Sequence, residues 1–107
     1  MKKDEIRVSA KIAKQLTLTE VRDQGDRVYI KGVDKYGIMW EHYQIVPEFC
    51  SNEAAAKQAK TFLTKLGNCQ EGDKVFCYCV IRQMGDSEMG DNYAGVYRNI
   101  DQIVCKC

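Results

Sequence analysis

The chain has 107 residues, 45% of them hydrophobic and 29% charged, which fits a globular domain and excludes a disordered, low-complexity segment. Sixteen basic residues stand against 15 acidic ones, a net charge of +1, so any grip on a polyanion must come from where the charges sit and not from their sum. The longest apolar run is far too short to cross a bilayer, and Met1-Lys2-Lys3-Asp4-Glu5 lacks the apolar stretch of a secretory signal, so one domain in the cytoplasm is expected.

Residues 1–5 are expected to fray. Over residues 6–20, Val8, Ala10 and Ile12 alternate, then Leu16, Leu18 and, less cleanly, Val21 keep period two with Thr17 and Thr19 between. The segment reads as one long, bent first strand. Asp23-Gln24-Gly25-Asp26 is a turn. Residues 27–33 alternate again, with Val28, Ile30 and Gly32 on one face and Tyr29 and Lys31 on the other. A glycine there marks a bend or bulge in a barrel strand. Asp34-Lys35-Tyr36-Gly37 is a second turn, and residues 38–46 are a third strand that Pro47 ends. That strand sets Trp40 and His42 on one face, Met39, Tyr43 and Ile45 on the other.

Residues 51–66 are a helix, capped by Ser51 or Asn52 with Glu53 in its first turn. Ala55, Ala59, Phe62, Leu63 and Leu66 form its apolar stripe, Lys57, Lys60 and Lys65 its wet side, and Gly67 follows as the C′ residue. Glu71-Gly72-Asp73-Lys74 leads into a fourth strand in which Val75, Cys77, Cys79 and Ile81 face inward and Phe76, Tyr78 and Val80 outward. A Gly- and Asp-rich loop at 83–92 precedes a fifth strand with Tyr97 and Ile100. The loop carries Asp86, Glu88 and Asp91, which suits solvent better than phosphate.

Three strands, a helix and two further strands predict a mainly β fold: a five-stranded barrel of the OB type, with the helix between the third and fourth strands. Trp40-Glu41-His42-Tyr43-Gln44-Ile45-Val46, Glu71-Gly72-Asp73-Lys74-Val75-Phe76-Cys77-Tyr78 and the stretch 97–104 resemble the bacterial and phage single-stranded-DNA-binding proteins. The resemblance implies non-enzymatic binding of single-stranded DNA with low sequence preference, a replication or recombination setting in a phage or mobile element, and homo-oligomers. It departs in two respects: no acidic tail follows the fifth strand, and the first strand is a poor match.

The candidate nucleic-acid-binding residues are Tyr29, Lys31, Lys35, Tyr36, Trp40, Phe76, Tyr78, Arg82, Tyr97 and Arg98. Outward rings offer flat faces on which any base can stack, at about 1–3 kcal/mol each, and Lys or Arg tracks the phosphates. On this reading Trp40, Tyr29, Phe76 and Tyr78 hold bases, and Lys31, Lys35, Arg82 and Arg98 hold phosphates. Taken singly, each ring serves as readily to cover a helix or line a subunit interface, and Trp40 is either a platform or a core anchor. The alternative role is a module that binds or inhibits a host protein complex, favoured by the near-neutral charge and the acidic loop.

Six cysteines are many for this length; without a secretory signal they read as reduced thiols filling small apolar sites. Cys77-Tyr78-Cys79 and Cys105-Lys106-Cys107 hold enough thiolates for zinc, but a hairpin bend near residues 87–89 sets Cys77 opposite Ile100 and Cys105 opposite Gly72, so the pairs do not meet. Cys107 then approaches Cys69, the pair most able to form a disulfide. His42 is the only histidine and is expected to be exposed and inert. No metal, cofactor or catalytic constellation is expected.

Overall fold

The computed structural model describes the backbone of residues 5–85 and 93–107 and the side chains of residues 8–83 and 96–107. Its elements are β1 (Glu5–Val8), β2 (Ile12–Asp23), β3 (Arg27–Val33), β4 (Met39–Ile45), a 3-10 turn at Pro47–Phe49, α1 (Glu53–Leu66), β5 (Lys74–Gly85) and β6 (Tyr93–Lys106). Glu5, expected to fray, instead opens β1 opposite Gly85. The fourth barrel strand runs further than expected, to Gly85, and the fifth starts at Tyr93, as expected. The acidic residues Asp86, Glu88 and Asp91 lie outside the described residues.

β2, β3, β4, β6 and β5 are paired in that order, and β5 returns to β2, closing a five-stranded barrel. All pairs are antiparallel except β4 with β6, which meet in parallel through the single bridge Glu41–Asn99. The helix joins the third barrel strand to the fourth, as expected, and the barrel is consistent with an OB-fold.

The long first strand is present but broken. β1 and β2 both run antiparallel to β5, with Val8 opposite Arg82 and Ile12 opposite Cys79. At the break the Ser9 amide donates to the Ile81 carbonyl (2.9 Å), and the Ile81 amide donates to Ser9 Oγ (2.9 Å). A side-chain oxygen thus replaces the missing ladder carbonyl, and the two pieces act as one bent strand.

Inside the barrel, Leu16, Leu18, Ile30, Trp40, Val75, Cys77, Cys79, Ile100 and Ile103 form one buried cluster. Phe62 and Leu66 of α1 join it, so the helix stripe plugs one end of the barrel. Asn52 caps α1, its Oδ1 accepting from the Ala55 amide at 2.8 Å. Gly67 does not take the left-handed C′ conformation expected of it; its φ is −60°, and its amide donates to Leu63 O. Val80, expected to face water, is buried at 4% exposure.

The imperfect period at Leu16, Leu18 and Val21 has a local cause. The β2–β3 register slips between Leu18 and Glu20, so Thr19 is an extra residue and Val21 returns to the inner face opposite Ile30. Gly32 faces Leu18 beside this bulge. A Cβ at Gly32 would lie 3.1 Å from Leu16 Cβ and 3.2 Å from Thr17 O, tighter than most packed Cβ contacts, so a neighbour would have to give by a few tenths of an ångström. Gly32→Ala is therefore expected to cost about 1–3 kcal/mol by overpacking. At Gly25, whose φ is +91° with open space around it, alanine meets only backbone strain and costs about 1 kcal/mol. Urea denaturation of the two variants checks the order; an unchanged midpoint for Gly32→Ala contradicts it.

Candidate nucleic-acid interface

The turn after β3 is built on one carboxylate. Asp34 is buried, and its Oδ1 accepts from the amides of Tyr36 (2.9 Å) and Ile38 (3.0 Å). Its Oδ2 accepts from Trp40 Nε1 at 3.1 Å and pairs with Lys14 Nζ at 3.2 Å. The Lys14 ammonium also sits 5.3 Å from the Trp40 ring centre, where the ring face attracts a cation. Burial alone would raise the Asp34 pKa, but the donors from Trp40, Ile38, Tyr36 and Lys14 outweigh it and hold the group at about 2.

Beside this turn lies an open cleft of about 400 Å³ lined by Ala13, Lys14, Gln15, Thr17, Val33, Asp34, Lys35 and Lys74. Three ammonium groups face one carboxylate there, and Asp34 is already committed. Lys35 and Lys74 form no ion pair with a described carboxylate. Lys35 leans over the Tyr36 ring at 5.1 Å, and that ring is 71% exposed.

The cleft reaches β5 at Lys74. Lys74, Phe76 and Tyr78 alternate on the outward side of that strand, and their β2 partners are Thr17, Gln15 and Ala13, the residues that line the cleft. Phe76 and Tyr78 are half-buried, with ring centres 6.0 Å apart and planes inclined at 59°. On the other flank Gln102 lies opposite Tyr78 and Cys105 opposite Phe76. The result is one outward face with lysines at one end and two rings along it.

Of the ten residues expected from sequence, this face collects Lys35, Tyr36, Phe76 and Tyr78. Trp40 lies elsewhere: at 2% exposure, with its N–H on Asp34, it is the core anchor and not a platform. Tyr29, expected to be exposed, is 9% exposed. It does point outward, but Tyr43 of β4 covers it at 4.7 Å and Arg22 of β2 at 6.0 Å, both directly opposite in register. Its hydroxyl donates to Glu41 at 2.7 Å, and burial together with that carboxylate pushes its pKa up to about 12. Lys31 lies between Glu20 and Glu41 in register and pairs with Glu20 at 3.8 Å, so its charge is answered inside the protein. Arg82 and Tyr97 are cross-strand partners on the hairpin, both exposed, with exposed Arg98 beside them opposite Ile81.

Lys14 and Lys74 were not among the expected residues. Lys14 alternates with Ile12 and Leu16, so an ammonium at an inward position already called for a buried partner. Lys74 shares its side of the strand with Phe76 and Tyr78, a parity visible in the sequence.

His42 is not exposed: it faces inward against Phe62 with ring centres 4.9 Å apart, and burial lowers its pKa. The cysteine register also differs from expectation. Cys77 lies opposite Ile103, and Cys105 opposite Phe76, because the β5–β6 register shifts at three places, between Phe76 and Cys77, Tyr78 and Cys79, and Met84 and Gly85. The two Cys-x-Cys pairs are thus near in the ladder, but Cys77 and Cys79 point into the core while Cys105 and Cys107 are exposed. The Cys107 amide donates to Lys74 O, and all six thiols are free. Burial pushes the Cys77 thiol up to about 12 and Cys79 to about 11, leaving both protonated and unreactive at neutral pH. Among the described residues no group of three or more His, Cys, Asp or Glu could hold a metal, and no helix is long and apolar enough to cross a membrane.

No protein-family model, no curated protein and no solved structure matches the chain.

The Asp34 network gives a pH signature. A carboxylate held below its usual 3.8 stabilises the fold above that value, and the contribution is lost as pH falls toward about 2. Acid unfolding followed by Trp40 emission is expected to show this loss between those limits, and Asp34→Asn to flatten it. An acid limb unchanged in Asp34→Asn would contradict the assignment.

Proposed function

We propose that the chain binds single-stranded nucleic acid, without catalysis and with low sequence preference, on the outward face of β2 and β5. The observation that carries this reading is the lysine-lined cleft with the Phe76–Tyr78 pair next to it in register, opposite its lining residues Gln15 and Ala13. Phosphates need cations that are not already neutralised, and Lys35 and Lys74 supply them beside Lys14. Bases need flat faces at strand spacing, and Phe76 and Tyr78 supply two. Stacking at about 1–3 kcal/mol per base is indifferent to base identity. The resemblance in strand order and short motifs supports single-stranded DNA as the ligand and replication or recombination as the setting.

The first test is fluorescence anisotropy of a labelled oligo-dT. Two phosphate contacts, at Lys35 and Lys74, predict a slope of log affinity against log salt of about −1.4 on a single strand. Lys74→Glu and Phe76→Ala are each expected to weaken binding about ten-fold. Absence of binding at micromolar protein in low salt removes the proposal.

A second reading has its own observation. The outward side of β4 and its flanks expose Tyr36, Ile38, Met39, Tyr43, Ile45 and Phe49, with exposures from 40% to 71%. An apolar strip of this kind suits a protein partner, for which Tyr43 and Ile45 would be anchors. If Tyr43→Asp abolishes capture of a cellular protein that survives nuclease and high salt, while oligo-dT binding is unchanged, the strip has that role; loss of oligo-dT binding in that variant would assign β4 to the nucleic acid instead.

A further inference from the structure

We propose that the β2–β5 face holds neighbouring nucleotides with their bases unstacked from one another, one base on Phe76 and the next on Tyr78. This rests on the nucleic-acid reading above and goes beyond it, because it fixes the form of the bound strand. Two bases in a continuous stack are parallel and about 3.4 Å apart. The rings of Phe76 and Tyr78 are 6.0 Å apart and inclined at 59°. A base lying flat on each ring adopts that inclination, so the pair cannot also stack on each other.

The wall around the rings fixes where they stand. Phe76 and Tyr78 occupy alternate positions of a strand paired on both sides, with Gln15 and Ala13 of β2 on one flank and Cys105 and Gln102 of β6 on the other. Inward neighbours Val75, Cys77 and Cys79 are fully buried, which anchors the strand against rotation. Lys74 stands one alternate position before Phe76, about 7 Å away along the strand. That step matches the next element of an extended chain, so the phosphate leading into the first base falls at Lys74 and the cleft. The bound form is an extended strand whose bases are taken one at a time.

The experiment uses the full chain and an oligo-dA carrying adjacent 2-aminopurines, whose emission is quenched by stacking on a neighbouring adenine and recovers on separation. Anisotropy of the same strand, labelled at one end, reports binding independently. Binding accompanied by a rise in 2-aminopurine emission is the expected result. Tyr78→Ala is expected to bind about ten-fold more weakly and to lose the rise even at saturation. Tyr78→Phe, which keeps the flat face, is expected to retain both. Binding with emission still quenched overturns the unstacking inference and leaves the strand-binding proposal standing. Absence of binding in either readout overturns the strand-binding proposal, and this inference with it.

Discussion

The Asp34 carboxylate is the constraint on which the described face depends. It takes four donors at once: two amides of its own turn, the indole of Trp40 and the ammonium of Lys14. Without it the indole N–H and the Lys14 charge would be left half-buried without an acceptor, which is costly in a low-dielectric interior. Among the described residues no buried side-chain nitrogen or oxygen lacks a partner. The same carboxylate fixes the turn that presents Lys35 and Tyr36, and it draws Lys14 to the mouth of the cleft. Core anchoring and surface presentation therefore share one group.

Charge placement separates this face from the rest of the molecule. Lys31 and Arg22 meet Glu20, Arg27 meets Asp26, Lys11 meets Asp101 and Lys106 meets Asp73. These exposed pairs contribute little to stability, but they cancel the local field. The β3–β4 face is balanced by Glu20 and Glu41, and its best ring, Tyr29, is already stacked under Tyr43 and Arg22. On the β2–β5 face Asp34 answers Lys14, but no described carboxylate pairs with Lys35 or Lys74. A net charge of +1 thus hides an uneven distribution.

Strand order, the helix and most inward positions were legible because period-two alternation is a strong signal. The slip at Val21 was legible too, as an irregular period, and the Thr19 bulge beside Gly32 accounts for it. Which outward ring is covered was not legible. Tyr29 obeys its alternation, yet its cross-strand neighbours bury it, and those are set by register across three strands. Trp40 was left open between platform and anchor for the same reason, since its fate depends on Asp34 six residues earlier. The cysteine register was not legible, because three shifts along the β5–β6 ladder change it in a way no turn residue announces. Lys14 was overlooked although an ammonium at an inward position between Ile12 and Leu16 is itself a signal.

The barrel wall has one weak join. β4 and β6 touch through the Glu41–Asn99 bridge and the Asn99 side-chain amide on Glu41 O at 3.3 Å, whereas the other walls carry long antiparallel ladders. A closed cylinder yields first where it is least stitched. Breathing of the native state should therefore unzip lengthwise between these two strands, a door whose hinge is the β3–β4 ladder, long before the β5–β6 hairpin parts.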